Sequence, residues 1–351
     1  MARSDLSFLP IELDDEFLHP PPPGADHTAI ETNYFGFHLP EHAIDGEMYV
    51  WFHTTLNIMG IQVWVNMGHK SQQLEAEYLM HHDFLPMVRN NADYSAKLGP
   101  CTFAVKVLKP LETIHLRVDD SKAGFQVDMT TRAAAPPVGR PGGKHFTQLM
   151  ENEGVLLLRG EPFKISGNFV RDRSWSQLRG EDPQAGPPAC WISGCFGNDL
   201  AFHVSLLDTS LIDIPEFGPQ WLEHLDKKDV LSSLKWESGG VTADINLRGG
   251  WWYDGKRFRR IISARKTTTL AADGLNTRAC TLELMDDAGE RHVAHGTSIT
   301  SLPKMYGQNL VVYLNQTRWE MDGRVGVGVV ETVYCNEHIY KLSRRRARSA
   351  V

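Results

Sequence analysis

Short runs of alternating or continuous apolar residues recur along nearly the whole chain. They occupy 47–53, 58–66, 101–108, 114–118, 125–131, 155–158, 163–170, 189–196, 200–206, 241–247, 250–253, 258–265, 278–285, 292–299, 311–319 and 324–334. Each has the length and period of a β-strand. Turn-forming residues separate most of them, as in Asp45-Gly46, Asp254-Gly255, Asp287-Ala288-Gly289 and Asp322-Gly323. Helical periodicity is scarce. Residues 74–79 are ambiguous, and 219–228 have room for two or three turns. Many short strands with few helices predict an all-β protein built as barrels or sandwiches, not a βαβ fold.

The punctuation suggests how the strands are grouped. Residues 132–143 are rich in Pro, Gly and Ala and have no apolar period, which fits either a linker or an extended loop of a first domain. The proline run at 20–23 is expected to be a rigid extended lead-in. The glycines in 323–328 alternate as in a closely packed strand, and no helix follows them, so they are not read as a phosphate loop.

Composition narrows the class. A length of 351 residues favours two domains, and 42% hydrophobic with 23% charged residues is ordinary for a soluble protein. A net charge of −7 argues against a nucleic-acid binder. The basic run Arg344-Arg345-Arg346-Ala347-Arg348 reads as a solvated tail. Five cysteines without CxxC spacing suit a reducing compartment. No signal-peptide core and no apolar span near 20 residues is present, so the expectation is a cytoplasmic protein without membrane insertion.

Familiar chemistry-bearing motifs are missing: no GxSxG, no HExxH, no dinucleotide fingerprint. Ten of the fifteen histidines precede residue 150. His38, His42, His53, His69, His81, His82 and His115 show no recurrent ligand spacing with a carboxylate, so neither metal nor cofactor is expected. Aromatic residues interleave with polar ones in 31–38 and 49–53. Tyr34, Phe37, His38, Tyr49 and Trp51 are therefore expected to line an apolar pocket with a few polar handles, with His53, a candidate catalytic residue, on the face of Tyr49 and Trp51.

The densest polar stretch is Arg171-Asp172-Arg173-Ser174-Trp175-Ser176-Gln177-Leu178-Arg179. On a strand, Arg171, Arg173 and Trp175 share one face and are assigned to substrate binding. Asp172 lies on the other face, as a general acid/base or as an arginine's partner. Glu331 follows the apolar run 325–330 and is the second candidate acid, because an apolar surrounding favours a neutral carboxyl.

The string His145-Phe-Thr-Gln148, then Gly154-Val-Leu, then Gly160-Glu-Pro-Phe-Lys-Ile-Ser-Gly167-Asn-Phe-Val-Arg-Asp-Arg-Ser-Trp175 resembles a signature of the carotenoid 1,2-hydratase and AttH-like proteins. Gly250-Trp-Trp-Tyr-Asp-Gly255 and Gly326-Val-Gly328 with Glu331 and Tyr334 add to the resemblance, which spans most of 30–340. It implies two tandem lipocalin-like antiparallel β-barrels of the calycin superfamily. The expected division is a lead-in at 1–30, barrels at 31–160 and 161–343, and a tail at 344–351. The group's pattern reads Arg-Asp-His-Ser-Trp-Gly, whereas this chain has Arg173 and Ser176. The resemblance implies a cofactor-independent hydratase, dehydratase, isomerase or cyclase acting on a hydrophobic terpenoid, steroid or polyketide-like molecule. A non-catalytic carrier of such ligands is the alternative. Open strand edges also allow homodimer pairing.

Overall fold

The computed structural model describes residues 8–90, 92–140, 143–178, 188–208, 247–305, 310–336 and 339. The chain divides into two units, 1–67 with 76–180, and 68–75 with 181–351. The first carries β1 (Ala29–Leu39), β2 (Ile44–His53), β3 (Ile58–Met67), β4 (Tyr78–Pro86), β5 (Val88–Asn90), β6 (Asp93–Leu98) and β7 (Cys101–Lys109). It continues through β8 (Thr113–Asp120), β9 (Phe125–Ala133), β10 (Val138–Gly139), β11 (His145–Leu158) and β12 (Glu161–Leu178). The second carries β13 (Ala189–Cys195), β14 (Ala201–Leu207), β15 (Leu247–Tyr253), β16 (Phe258–Leu270) and β17 (Thr277–Asp286). It ends with β18 (Arg291–Ser298), β19 (Leu302–Met305), β20 (Leu310–Met321) and β21 (Arg324–Cys335).

The protein is all-β, with two barrel-like antiparallel sheets; helix among the described residues is confined to short 3-10 turns and α-helical backbone at Asn336 and Ile339. The first sheet runs β4-β3-β2-β1-β12-β11-β9-β8-β7-β6-β5, so its two ends are consecutive in the chain. The second runs β18-β17-β16-β15-β14-β13-β21-β20-β19 and is closed by pairing of β18 with β20. Each encloses its own core. Phe37, Val50, Ile61, Val63, Phe103, Leu116 and Val127 belong to the first; Ile192, Phe202, Leu282, Trp319 and Val330 belong to the second.

Several expectations change. The break expected between 160 and 161 is not there, because β12 pairs through 161–174 with β11 and, through 172–178, with β1. The 161–178 segment thus belongs to the first sheet. Residues 132–143 also stay in the first unit, where Val138 and Gly139 pair with β11. Asp45-Gly46 is no turn: the reversal is made by Pro40–His42 and Ala43, which adopts φ 49°, and Gly46 lies inside β2. A Cβ there would fall 2.2 Å from the Phe37 ring, so close packing requires the glycine. Residues 74–79 form a 3-10 turn at Gln73–Glu75 and then enter β4. The helix expected at 219–228 and the tail at 344–351 lie outside the described residues, as does most of 241–247.

Candidate functional site

Strands β1, β2 and β3 are buried on both faces. Phe35, Phe37, Val50, Phe52, Ile61, Val63 and Val65 point into the core. The alternate residues form the opposite face, and cross-strand register arranges them in rows. One row reads Asp172, Tyr34, Tyr49, Gln62 and His81 across β12, β1, β2, β3 and β4. The row on one side holds Ser174, Thr32, Trp51 and Gly60. On the other side lie Gly36, Glu47 and Trp64, followed by His38, Asp45 and Asn66.

This face is aromatic and protonatable at once. Tyr34 meets Tyr49 edge-on at 6.4 Å, Tyr49 packs on Trp51 at 5.8 Å, and Phe169 lies 5.4 Å from Tyr34 and 5.1 Å from His38. His38 Nδ1 lies 2.7 Å from Asp45 Oδ1. Burial pushes the His38 imidazole down to about 4, against the opposing charge of Glu47. At neutral pH the ring is therefore neutral, Nδ1–H donates to Asp45, and Nε2 keeps its lone pair. Asp172 lies 3.3 Å from His145 Nε2 and is largely buried.

The structure thus brings Tyr34, His38, Tyr49, Trp51 and Asp172 onto one face. Asp45, Glu47, Gln62 and Trp64 join them. The sequence reading passed over these four because Asp45 looked like a turn residue and the others like ordinary strand positions. His53 ends the same face, but its Nδ1 is bonded to the His27 carbonyl at the rim. Phe37 lies on the opposite face, in the core of the barrel.

Arg171, Arg173 and Trp175 take the face of β12 opposite Asp172, and their surroundings correct the substrate-binding expectation. Arg171 makes a two-pronged pair with Glu16 at 2.8 and 2.7 Å, donates to Gln148, and lies over the Phe146 ring. Arg173 donates to Glu31 at 2.7 Å and to the carbonyls of Phe17, Thr32 and Ser174. Burial works against the Glu16 carboxylate, yet Arg171 and the Leu111 N–H hold it below its ordinary range. Trp175 stacks on His19 at 4.8 Å and packs with Phe146. These groups bind the lead-in segment to the barrel.

Glu331 lies in the C-terminal unit, half-buried between Trp191 of β13 and Leu314 of β20. Nearby, His203 packs against Trp191 at 4.6 Å and Trp251 at 6.1 Å. Among the described residues, Asp286, Glu290 and His292 have metal-like spacing. Arg259 Nη1 already bonds both carboxylates, at 2.9 and 2.5 Å, so a cation occupies that position. All five cysteines are buried and unbridged. No helix among the described residues is long and apolar enough to cross a membrane.

The family assignment rests on a match along residues 12–336. The chain belongs to the DUF7064 family, described as a domain of unknown function. No curated protein matches it. Solved structures show what the family's fold is similar to. Kievitone hydratase from Nectria haematococca aligns with TM-score 0.52 and 12% identity over 94% of each chain. CghA with Sch210972 aligns with TM-score 0.54 and 9% identity over 88% of each chain. A putative AttH from Nitrosomonas europaea aligns with TM-score 0.50 and 15% identity over 90% of this chain and 98% of that one. This DUF7064 chain therefore has the lipocalin-like fold of the carotenoid hydratase and AttH-like group.

Proposed function

We propose that the protein is a cofactor-independent enzyme that adds or removes water, or closes a ring, on an elongated hydrophobic molecule of terpenoid, steroid or polyketide type. The observation that carries this reading is the buried face where Tyr34, His38, Asp45, Glu47, Tyr49 and Trp51 lie in adjoining register positions. Such reactions need a proton donor, a proton acceptor and surroundings that keep bulk water away from a developing cation.

His38, held neutral and fixed by Asp45, is the acceptor through Nε2. Glu47, one row away, is the carboxyl placed to deliver or retrieve a proton. The Tyr34, Tyr49 and Trp51 rings offer π faces to positive charge. Asp172 stands opposite Tyr34, four residues along β1 from His38, which at strand rise is roughly 13 Å. That separation suits an anchor for the far end of a long substrate better than a partner in the same proton transfer. Fold similarity to kievitone hydratase is consistent with this reading and does not fix the reaction.

The test is incubation with a panel of terpenoid and steroid alkenes and alcohols, read as the gain or loss of one water by mass spectrometry. His38→Gln is expected to lower turnover about 100- to 10,000-fold while leaving the melting curve of a folded protein. Asp172→Asn is expected to raise KM more than it lowers kcat. Stoichiometric binding with no product across the panel would overturn the enzymatic reading in favour of a carrier. Unchanged turnover in His38→Gln would remove that residue from the mechanism.

A further inference from the structure

Gln62 sits in the middle of the face, opposite Tyr49 on one side and His81 on the other, and is 4% exposed. A chain of hydrogen bonds sets the orientation of its amide. His81 Nε2 is 3.1 Å from Asp83 Oδ2, and a carboxylate only accepts, so the ring proton is on Nε2. His81 Nδ1 is then an acceptor, and Gln62 Nε2 donates to it at 3.1 Å, the nearer of the two ring nitrogens, with Nε2 at 3.4 Å. This turns the amide oxygen the other way. Gln62 Oε1 is buried and has no hydrogen-bond partner.

A buried acceptor left without a donor costs stability, and proteins keep few of them outside functional sites. Gln62 lies opposite Tyr49 in the register, Tyr49 packs on Trp51 at 5.8 Å, and Trp51 meets His81 edge-on at 5.8 Å. Trp51 is partly exposed and His81 is more so. A charged ligand group is not called for, since a neutral carbonyl acceptor flanked by aromatic rings suits an O–H donor on an apolar body.

We propose that Gln62 Oε1 is the specificity contact for a hydroxyl group, and that Asp83 and His81 are positioning residues that keep the amide acceptor-side out. The substrate class is then a hydroxylated apolar molecule, a phenol or an alcohol, in preference to its hydrocarbon counterpart. This deepens the enzymatic reading and rests on the same face being the ligand site.

Equilibrium dialysis of the full chain with 2-naphthol and with 2-methylnaphthalene separates the two ideas. The native protein is expected to bind the naphthol on the order of tenfold more tightly, the worth of one satisfied hydrogen bond. Gln62→Leu is expected to erase that preference while leaving methylnaphthalene affinity within about twofold. Asp83→Asn is expected to weaken the preference by freeing the His81 tautomer. Equal affinity of the native protein for both probes would overturn the proposal, and so would a preference that survives Gln62→Leu. Binding of neither probe would instead strike at the face as a ligand site. If Gln62→Leu fails to fold, the Asp83→Asn comparison decides, and a preference unchanged there overturns the positioning role.

Discussion

The two faces of β12 present the same kinds of atoms to opposite ends. Arg171 and Arg173 on one face are matched charge for charge by Glu16 and Glu31, with the remaining N–H groups mostly spent on carbonyls. Asp172, one residue away, joins a face of tyrosines, carboxylates and an imidazole kept neutral. The first arrangement is closed: each ion has its counter-ion, and the result is a fastened N-terminal segment. The second collects groups that can exchange protons. Polar density alone therefore does not mark a site. What separates the two faces is the kind of pairing: guanidinium against carboxylate on one, imidazole against carboxylate on the other, and an imidazole can give up or take a proton near neutral pH where a guanidinium cannot.

The closed face predicts the largest effect on stability. Glu16→Ala leaves Arg171 buried without its carboxylate, and urea denaturation should show a loss of about 3–5 kcal/mol. Replacing both partners, as Glu16→Leu with Arg171→Met, should recover most of that loss, since an apolar pair carries no desolvation penalty. Ligand binding by the folded double variant should match the native protein. A double variant as unstable as Glu16→Ala would mean the pair does more than cancel its own burial.

The open face responds to pH in its own window. The folded pKa of His38, about 4, is below the ordinary 6.5, so the native state resists protonation that the unfolded chain accepts. Its contribution is fully present above pH 6.5 and is lost as pH falls toward 4, by up to about 3 kcal/mol. Glu16 is also depressed, but from 4.5, so its loss begins lower. Stability curves of the native protein and His38→Gln should therefore diverge in slope between pH 6.5 and 4 and run parallel below. Parallel curves throughout would show that His38 is not held neutral.

How much of this was legible follows from the burial of particular strands. Period-two alternation is a signal of one wet face, and the strands of the second unit, such as β17 and β18, show it plainly. β1 is buried along all eleven residues, so its alternation is between apolar and aromatic-polar and does not read as a strand boundary. The sidedness of Arg171, Asp172, Arg173 and Trp175 was readable, because it needs only the strand period. Their partners were not. Glu16 lies 155 residues away in a polar lead-in, and nothing local marks it as the counter-ion of Arg171. Asp45 and Glu47 were hidden for a different reason: Asp-Gly is a strong turn signal, and here tertiary packing of Phe37 over Gly46 overrides it.

That same packing gives the smallest and most discriminating test of the two-face comparison. Gly46 and Gly60 both lie in the β2–β3 pair, and each is covered by one aromatic ring on one face. A Cβ on Gly46 would fall 2.2 Å from Phe37, whose ring is locked in the core. A Cβ on Gly60 would fall 2.0 Å from Trp51, whose ring belongs to the opposite face and is partly exposed. Overpacking a closed core costs about 1–3 kcal/mol, whereas a ring with solvent beside it can swing aside for less. Gly46→Ala should therefore lower the denaturation midpoint and leave probe affinity nearly unchanged. Gly60→Ala should lose roughly 1 kcal/mol or less of stability but weaken naphthol and methylnaphthalene binding together, because the aromatic wall itself has moved. Measured side by side, a Gly60→Ala protein that binds normally beside a Gly46→Ala protein that does not would place the ligand inside the barrel core and reverse the assignment of the two faces.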